Sequence, residues 1–360
     1  MSSGLKRRKT TARDAAVVIA CYDERRWPQL SAAVESALHQ TVAPVEVVVV
    51  VDHNQALQQR VAERWRQVRV LTNRFSPGAS GARNTGAFDV EAGIIAFLDD
   101  DAVAAPSWLE RLVEPFEDRT VVGVGGGVDP AWETGRPRWF PDEFFWLVGA
   151  TDPLGPDAVH EVRNVWAENM AVRRDRFQAV GGFRLDFGKV GSHSSPEDTD
   201  LCIRMTRDGG RWLLVPQARA SHHVPAARST FGFFVRRSFY EGEGKAALRR
   251  LSPAGALGVE RDYAAKVLPA AVLRGIRTSW REKTPTPALT SGAVVAGAAA
   301  AGAGYAWGSM ALIRSRALGS RRGRPPVEAP IPPAGSPTTG TARATNSTEG
   351  QHVEDVGSSR

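Results

Sequence analysis

Ile94-Ile95-Ala96-Phe97-Leu98-Asp99-Asp100-Asp101 is an apolar run that ends abruptly in three acids. Five consecutive apolar residues bounded by a glycine and a charge cluster read as a strand covered on both faces, as parallel sheets require. Three adjacent carboxylates at the end of that strand repel one another, and each prefers water or a cation. In open α/β sheets this end of the strand is also where ligands bind. A hard divalent cation satisfies such a cluster most simply, taking one or two carboxylates together with substrate phosphate oxygens. The alternative is an acidic turn in which an aspartate caps the helix opening at Trp108, although one cap would suffice.

Outward from this stretch the chain alternates β-branched runs with amphipathic segments. Residues 17–20, 45–51 and 68–71 read as strands, and 27–40, 56–67 and 82–91 as helices, the first with Leu30, Ala33, Val34, Ala37 and Leu38 at helical spacing. Residues 108–116 follow as a helix and 121–128 as a strand. This alternation predicts an α/β fold, a mostly parallel central sheet flanked by helices in Rossmann-like manner. From 129 to 165 the pattern breaks into Trp132, Trp139, Phe140, Phe144, Phe145 and Trp146 among Pro and Gly. Either a functional lid or a locally packed insertion accounts for such a long segment. Helical signals return at 168–179 and 196–207, and 212–215 reads as a short strand.

The net charge of +7 is concentrated near the ends. Lys6, Arg7, Arg8 and Lys9 precede no apolar region, so they form no secretory signal. Arg314, Arg316, Arg321, Arg322 and Arg324 follow an uncharged stretch, 284–313, that is long enough to cross a bilayer but consists mostly of Ala and Gly. Without interleaved aromatics, these basic runs favour an anionic membrane surface over nucleic acid, with the basic flank on the cytoplasmic side. The expected organisation is a basic disordered N-terminus (1–14), a catalytic domain (15–245), a helical linker (246–283), a membrane-crossing or re-entrant segment (284–313) and a disordered tail (314–360). Cys21 and Cys202 form no disulfide framework or zinc pattern and read as buried small hydrophobes.

Asp52 ends the valine-rich second strand, where a carboxylate can accept hydrogen bonds from a base or ribose. No G-x-G-x-x-G follows the first strand, which leads instead into Ala20-Cys21-Tyr22-Asp23-Glu24-Arg25, and Walker A is absent. Gly125-Gly126-Gly127 reads as a tight turn. Ser76-Pro77-Gly78-Ala79-Ser80-Gly81-Ala82-Arg83-Asn84 combines small residues, a helix start and a planar cation, which suits an anion as well as an ordinary helix entry. Ser195-Pro196-Glu197-Asp198 is good helix-start chemistry. Two acids exceed what capping needs, and a partly desolvated carboxylate there can act as a general base. His222 and His223, after the last short strand, each offer an imidazole for a cation or a diphosphate.

Together these stretches resemble the family 2 glycosyltransferases of the GT-A type, in the family's order across most of residues 15–225. The resemblance implies an inverting enzyme of the hexosyltransferase class that uses a nucleotide-diphospho-sugar, with UDP-sugar favoured. It implies that Asp23, Asp52, Arg83, Asn84, Asp99 and Asp100 bind the donor, with Arg83 and Asn84 near the base or ribose. Asp101 would ligate Mg2+ or Mn2+, joined by His222 or His223, and Asp198 would be the base with Glu197 second. Asp23 stands where Asn is commoner, and Arg207-Asp208-Gly209-Gly210-Arg211-Trp212 lacks the Gln-x-x-Arg-Trp of processive synthases. The Ala/Gly-rich segment is similar to membrane-associated members acting on polyprenyl-phosphate-linked glycans, so a glycan or lipid-linked acceptor is expected. A non-catalytic membrane-tethered nucleotide or glycan binder and a nucleotidyltransferase are the alternatives.

Overall fold

The computed structural model describes residues 14–151, 153, 155–186, 189–190, 193–194, 196–251 and 258–319. The expected basic N-terminus up to residue 13, the Ser195 cap and the tail beyond 319 lie outside them. Met1–Gly323 forms one compact unit, and Arg324–Arg360, the other, lies wholly outside the described residues.

The first half runs β1 (Ala15–Cys21), α1 (Trp27–Leu38), β2 (Glu46–Val51), α2 (Gln55–Arg64), β3 (Arg69–Thr72), α3 (Ala79–Asp89), β4 (Ile94–Asp99), β5 (Ala102–Ala104), α4 (Trp108–Val113) and β6 (Val121–Trp132). Next come β7 (His160–Val162), β8 (Asn169–Arg173), α5 (Arg174–Ala179), β9 (Lys189–Val190), β10 (His193–Ser194), α6 (Glu197–Met205) and β11 (Arg211–Val224). Four C-terminal helices complete the described chain: α7 (Phe231–Leu251), α8 (Gly258–Asp262), α9 (Leu268–Glu282) and α10 (Thr286–Gly319). The main sheet has the order β3-β2-β1-β4-β8-β6-β11-β5, with β7 also on β11. Its half through β3, β2, β1 and β4 is parallel, and the other half is mixed. Valines of β1 and β2 are buried on both faces, as the unbroken apolar runs predicted. Helix α3 lies so close to this layer that a Cβ on Gly86 would sit 2.5 Å from a Val18 methyl, leaving room for no side chain.

Three expectations are corrected. Residues 168–179 are not one helix: β8 comes first and α5 follows. Met170, Ala171 and Val172 are buried between β4 and β6, and this pairing overrides a weak helical preference. The strand expected at 212–215 continues to Val224 through a register shift between Val215 and Ala220. Pro216, which has no N–H for the ladder, hides that continuation. His222 and His223 therefore lie within the strand rather than after it. Finally, Gly125-Gly126-Gly127 is the middle of β6, not a turn. A Cβ on Gly126 would fall 2.1 Å from the Ala218 carbonyl oxygen and 2.4 Å from the Asn169 amide nitrogen.

The aromatic insertion is largely internal. Phe140, Phe144, Phe145, Leu147 and Val148 are buried with Phe234 of α7, Ala271 of α9 and Ala293 and Val294 of α10. Helix α10 is continuous, which excludes a hairpin, and Thr286–Ala311 is long and apolar enough to cross a membrane. One of its faces packs on α7 at backbone contact, since a Cβ on Gly304 would overlap the Phe239 carbonyl. Leu289, Val295, Trp307 and Met310 remain exposed. Cys21 and Cys202 are free and buried.

Candidate active site

A cavity of 2290 Å3 opens where β1, β2 and β4 end, and its far wall is formed by α7, α8 and α10. Parallel pairing of β4 with β1 brings Asp99, Asp100 and Asp101 to the same rim as Cys21 and Asp52. The N-terminus of α6 supplies Glu197 and Asp198, α3 supplies Arg83 and β11 supplies His222.

Arg83 ties the two acidic groups together. Its side chain is only 7% exposed, and it donates to Asp99 Oδ1 at 2.5 Å and to Glu197 Oε1 at 3.4 Å. Burial alone would lift the Asp99 carboxyl, but this guanidinium outweighs it and holds Asp99 below the usual carboxylate range. Burial and the neighbouring Asp198 charge push Glu197 up, and burial likewise raises Asp198 despite the Thr199 N–H on its Oδ1. Carboxyls raised in this way hold or accept a proton nearer neutrality, as acid–base catalysis requires.

Arg26 occupies the centre of the aspartate cluster. It donates to Asp100 Oδ1 at 2.8 Å and pairs with Asp101 Oδ2. Asp100 is nevertheless pushed up to about 6, chiefly by burial, and its Oδ2 is buried with no hydrogen-bond partner among the described residues. His222 Nδ1 donates to the Val148 carbonyl at 2.9 Å, which turns Nε2 toward Asp101 Oδ1 at 3.1 Å. In the neutral ring Nε2 is then a lone pair facing a carboxylate, two acceptors that a cation would join. With Arg26 in place, no three His, Cys, Asp or Glu side chains converge in metal-ligand geometry among the described residues.

The other expected site residues divide. Asp52 lines the cavity, but its oxygens accept from Asn73 Nδ2 at 2.6 Å and the Gly78 N–H at 2.8 Å, so it also organises the loop before α3. Asn84 is not at the cavity: it is buried, with its amide donating to the Phe183 carbonyl and accepting from the Phe183 N–H. Neighbours on a helix point about 100° apart, so Arg83 and Asn84 cannot share a target. Asp23 also stays off the cavity wall and pairs with Arg25 at 2.7 Å while capping a short helical turn. His223 contributes only its backbone N–H, to the Asp101 carbonyl at 2.8 Å, whereas His222 lines the cavity.

Among the cavity residues that escaped the sequence, two lie against the acidic cluster. One is Arg26, whose only signal was its place beside Arg25 in a stretch that fails a dinucleotide fingerprint. The other is Glu168, pushed up to about 7 by burial although His222 opposes it, with Oε1 buried and unpartnered among the described residues. An acid inside the apolar stretch 165–172 was its signal.

The chain is similar to known proteins. The family model described as glycosyl transferase family 2 matches residues 16–181. Glucosyl-dolichyl phosphate glucuronosyltransferase of Haloferax volcanii is 36% identical over 243 residues, 66% of this chain and 78% of that protein. Succinoglycan biosynthesis protein ExoM of Rhizobium meliloti is 31% identical over 45% of this chain and half of its own length. Among solved structures, the mannosyltransferase PcManGT of Pyrobaculum calidifontis, in complex with GDP-Man and Mn2+, has a TM-score of 0.51 at 20% identity. That likeness covers 86% of this chain and 81% of the mannosyltransferase, and it bears on the fold alone.

Proposed function

The chain belongs to glycosyl transferase family 2, and on that premise we propose that it transfers a sugar from a nucleotide-diphospho-sugar, UDP-linked by preference, to a hydroxyl of a glycan or polyprenyl-phosphate-linked acceptor. The observation that carries this reading is the convergence of Asp99, Asp100 and Asp101 with Glu197 and Asp198 on one cavity, joined through Arg83. The lipid-linked acceptor is supported by the dolichyl-phosphate substrate in the name of the Haloferax relative.

Asp198, at the start of α6, takes the proton of the attacking hydroxyl. Glu197 is held by Arg83 and is therefore less free to do so. The anomeric carbon is attacked from the side opposite the nucleotide, and one displacement inverts it, by the logic that also governs glycosidases. Asp52 keeps the loop before α3 in place at the nucleotide end, and Asp99 and Asp100 face the donor. The residues fit a divalent cation: among the described residues a buried oxygen of Asp100 has no hydrogen-bond partner, and His222 Nε2 stands 3.1 Å from Asp101 Oδ1. Asp101 and His222 would hold Mg2+ or Mn2+, which when bound neutralises charge growing on the leaving diphosphate.

Membrane attachment suits a lipid-linked acceptor. Leu273, Ile276 and Trp280 are exposed at helical spacing on α9 beside Arg277 and Arg281, and the exposed apolar side chains of α10 continue that surface type. A basic amphipathic helix of this kind lies in a bilayer interface. We place it at the cytoplasmic face, in cell-envelope glycan synthesis.

Calorimetry with UDP, GDP and dTDP, with and without Mn2+, on wild type and Asp101→Ala tests the proposal. Metal-dependent binding of one nucleotide, lost in the variant, is expected. A folded protein that binds none of them would overturn it.

A further inference from the structure

Glu168 lies against the acidic cluster but has no part in the proposed reaction. It sits in the turn before β8, where the chain is fixed from two sides. Its carbonyl accepts the Asp99 N–H at 3.2 Å, and the Asn169 amide next to it donates to the Gly127 and Ala218 carbonyls at 3.0 Å. Asn169 is thereby turned into the sheet, whereas Glu168 lines the cavity. Gly149 makes room for its carboxyl: a Cβ there would fall 2.3 Å from Glu168 Oε2 and 2.9 Å from the His222 ring.

That carboxyl is poorly served by the protein. Its side chain is 11% exposed, and Oε1 is buried with no hydrogen-bond partner among the described residues. His222 Nδ1 lies 4.0 Å from Oε2 but donates to the Val148 carbonyl instead. The charges of Asp99 and Asp198 act against ionised Glu168; those of His222 and Arg228 oppose them, yet neither gives Oε1 a hydrogen bond. A buried carboxyl in such company is costly unless a ligand meets it. A metal ion is the wrong complement, because His222 turns Nε2 toward Asp101 and Glu168 lies on the Nδ1 side. A sugar hydroxyl suits it: the hydroxyl donates to a carboxylate and accepts from a protonated carboxyl, so the match holds in either state. The position suits it as well. In the proposed displacement the sugar lies between Asp198 and the diphosphate near Asp101, and Glu168 stands among Asp99, Asp198 and His222.

We propose that Glu168 hydrogen-bonds a hydroxyl of the sugar being transferred and so helps to select the donor. This assignment rests on the transferase reading, and the test separates the two.

Calorimetry in Mn2+ compares UDP-glucose, UDP-galactose, UDP-glucuronate, dTDP-glucose and GDP-mannose with their nucleoside diphosphates, on wild type, Glu168→Ala and Glu168→Gln. Glu168→Ala is expected to leave the diphosphate Kd unchanged and to weaken the tightest-binding sugar nucleotide about 10- to 100-fold, the scale of one hydrogen bond to a charged group. Glu168→Gln keeps the size of the side chain and still accepts, so it should lose less and change the order of preference among the sugars; it also serves should Glu168→Ala fail to fold. Mn2+ titrated alone should bind all three proteins equally. An unchanged ratio of sugar-nucleotide to diphosphate affinity in the folded variants overturns the proposal and leaves the transferase reading standing. A loss shared equally by the diphosphate, or a loss of Mn2+ affinity, also overturns it, by moving Glu168 to the diphosphate or metal end. A wild type that binds neither diphosphates nor sugar nucleotides overturns both.

Discussion

Removing Arg26 separates a structural cation from a functional one. Its side chain is 27% exposed, while those of its partners Asp100 and Asp101 are 6% and 4% exposed. Breaking a buried ion pair costs about 3–5 kcal/mol, and the partial exposure of Arg26 favours the lower end, about 3 kcal/mol. Arg26→Ala in EDTA should therefore melt roughly 5 °C below wild type. If the guanidinium and a metal ion compete for the same carboxylate oxygens, wild type must give up that pairing before it binds metal. The coupling is reciprocal, so the variant should bind Mn2+ more tightly by the same free energy. At 1.4 kcal/mol per tenfold, about 3 kcal/mol is roughly a hundredfold in Kd. Melting curves with and without saturating Mn2+, together with Mn2+ titration calorimetry, read both quantities. A deficit in EDTA that closes in Mn2+ is expected. Equal deficits in both buffers, with unchanged or weaker Mn2+ affinity, would refute the reasoning and leave Arg26 a plain structural ion pair.

Asp198→Asn should lower kcat by about 10²- to 10⁴-fold, the usual worth of a general base, with nucleotide Kd unchanged. Glu197→Gln should cost less, and steady-state kinetics that reversed the two would move the base to Glu197. Glu168 is raised from 4.5 to about 7, so the native state binds more protons than the unfolded state between those values. Its contribution is full below pH 4.5 and lost as pH rises through 7; the melting temperature in EDTA should fall over that window, less steeply in Glu168→Gln. Asn169→Asp sets a carboxylate against the Gly127 and Ala218 carbonyls, both 3.0 Å from the amide nitrogen, and should cost about 3 kcal/mol or more in urea unfolding. A change within about 0.5 kcal/mol, the range of ordinary surface substitutions, would show that this amide does not anchor β6 to β11.

The parallel half of the sheet was readable because its strands carry their own signal: two-sided burial demands unbroken apolar runs, and β1, β2 and β4 have them. β8 has no such signature. Its five residues are equally at home in a helix, and only the neighbouring β4 and β6 make them a strand. The choice between His222 and His223 was unreadable for a related reason. Adjacent residues of a strand face opposite sides, so one of them had to meet Asp101, but the side is set by the register of β11 against β5 and β6. Asn84, which the family resemblance implies near the base or ribose, packs on Phe183 instead, because the helix turns it away from the cavity that Arg83 faces. Arg26 and Glu168 become visible only once distant strands bring them to the aspartates.

Chain order also divides the cavity. The family match ends at residue 181 and contains Asp52, Arg83 and the three aspartates, the half that the proposed reaction gives to the nucleotide donor. Glu197, Asp198, His222 and Arg228 come later, as do the walls made by α7, α8 and α10. Helices α7 and α10 are fastened to the aromatic insertion through Phe144, Phe234 and Val294, and the insertion itself lines the cavity through Glu143, Phe144, Trp146 and Leu147, so it is a packed part of the wall rather than a free lid. In the proposed reaction an acceptor must reach Asp198 from this later half, past Tyr240, Lys245 and Tyr305. Substitutions along α7 and α10 should therefore alter which acceptor is used while leaving nucleotide affinity intact. Substitutions at the ends of β2 and β4 should do the reverse.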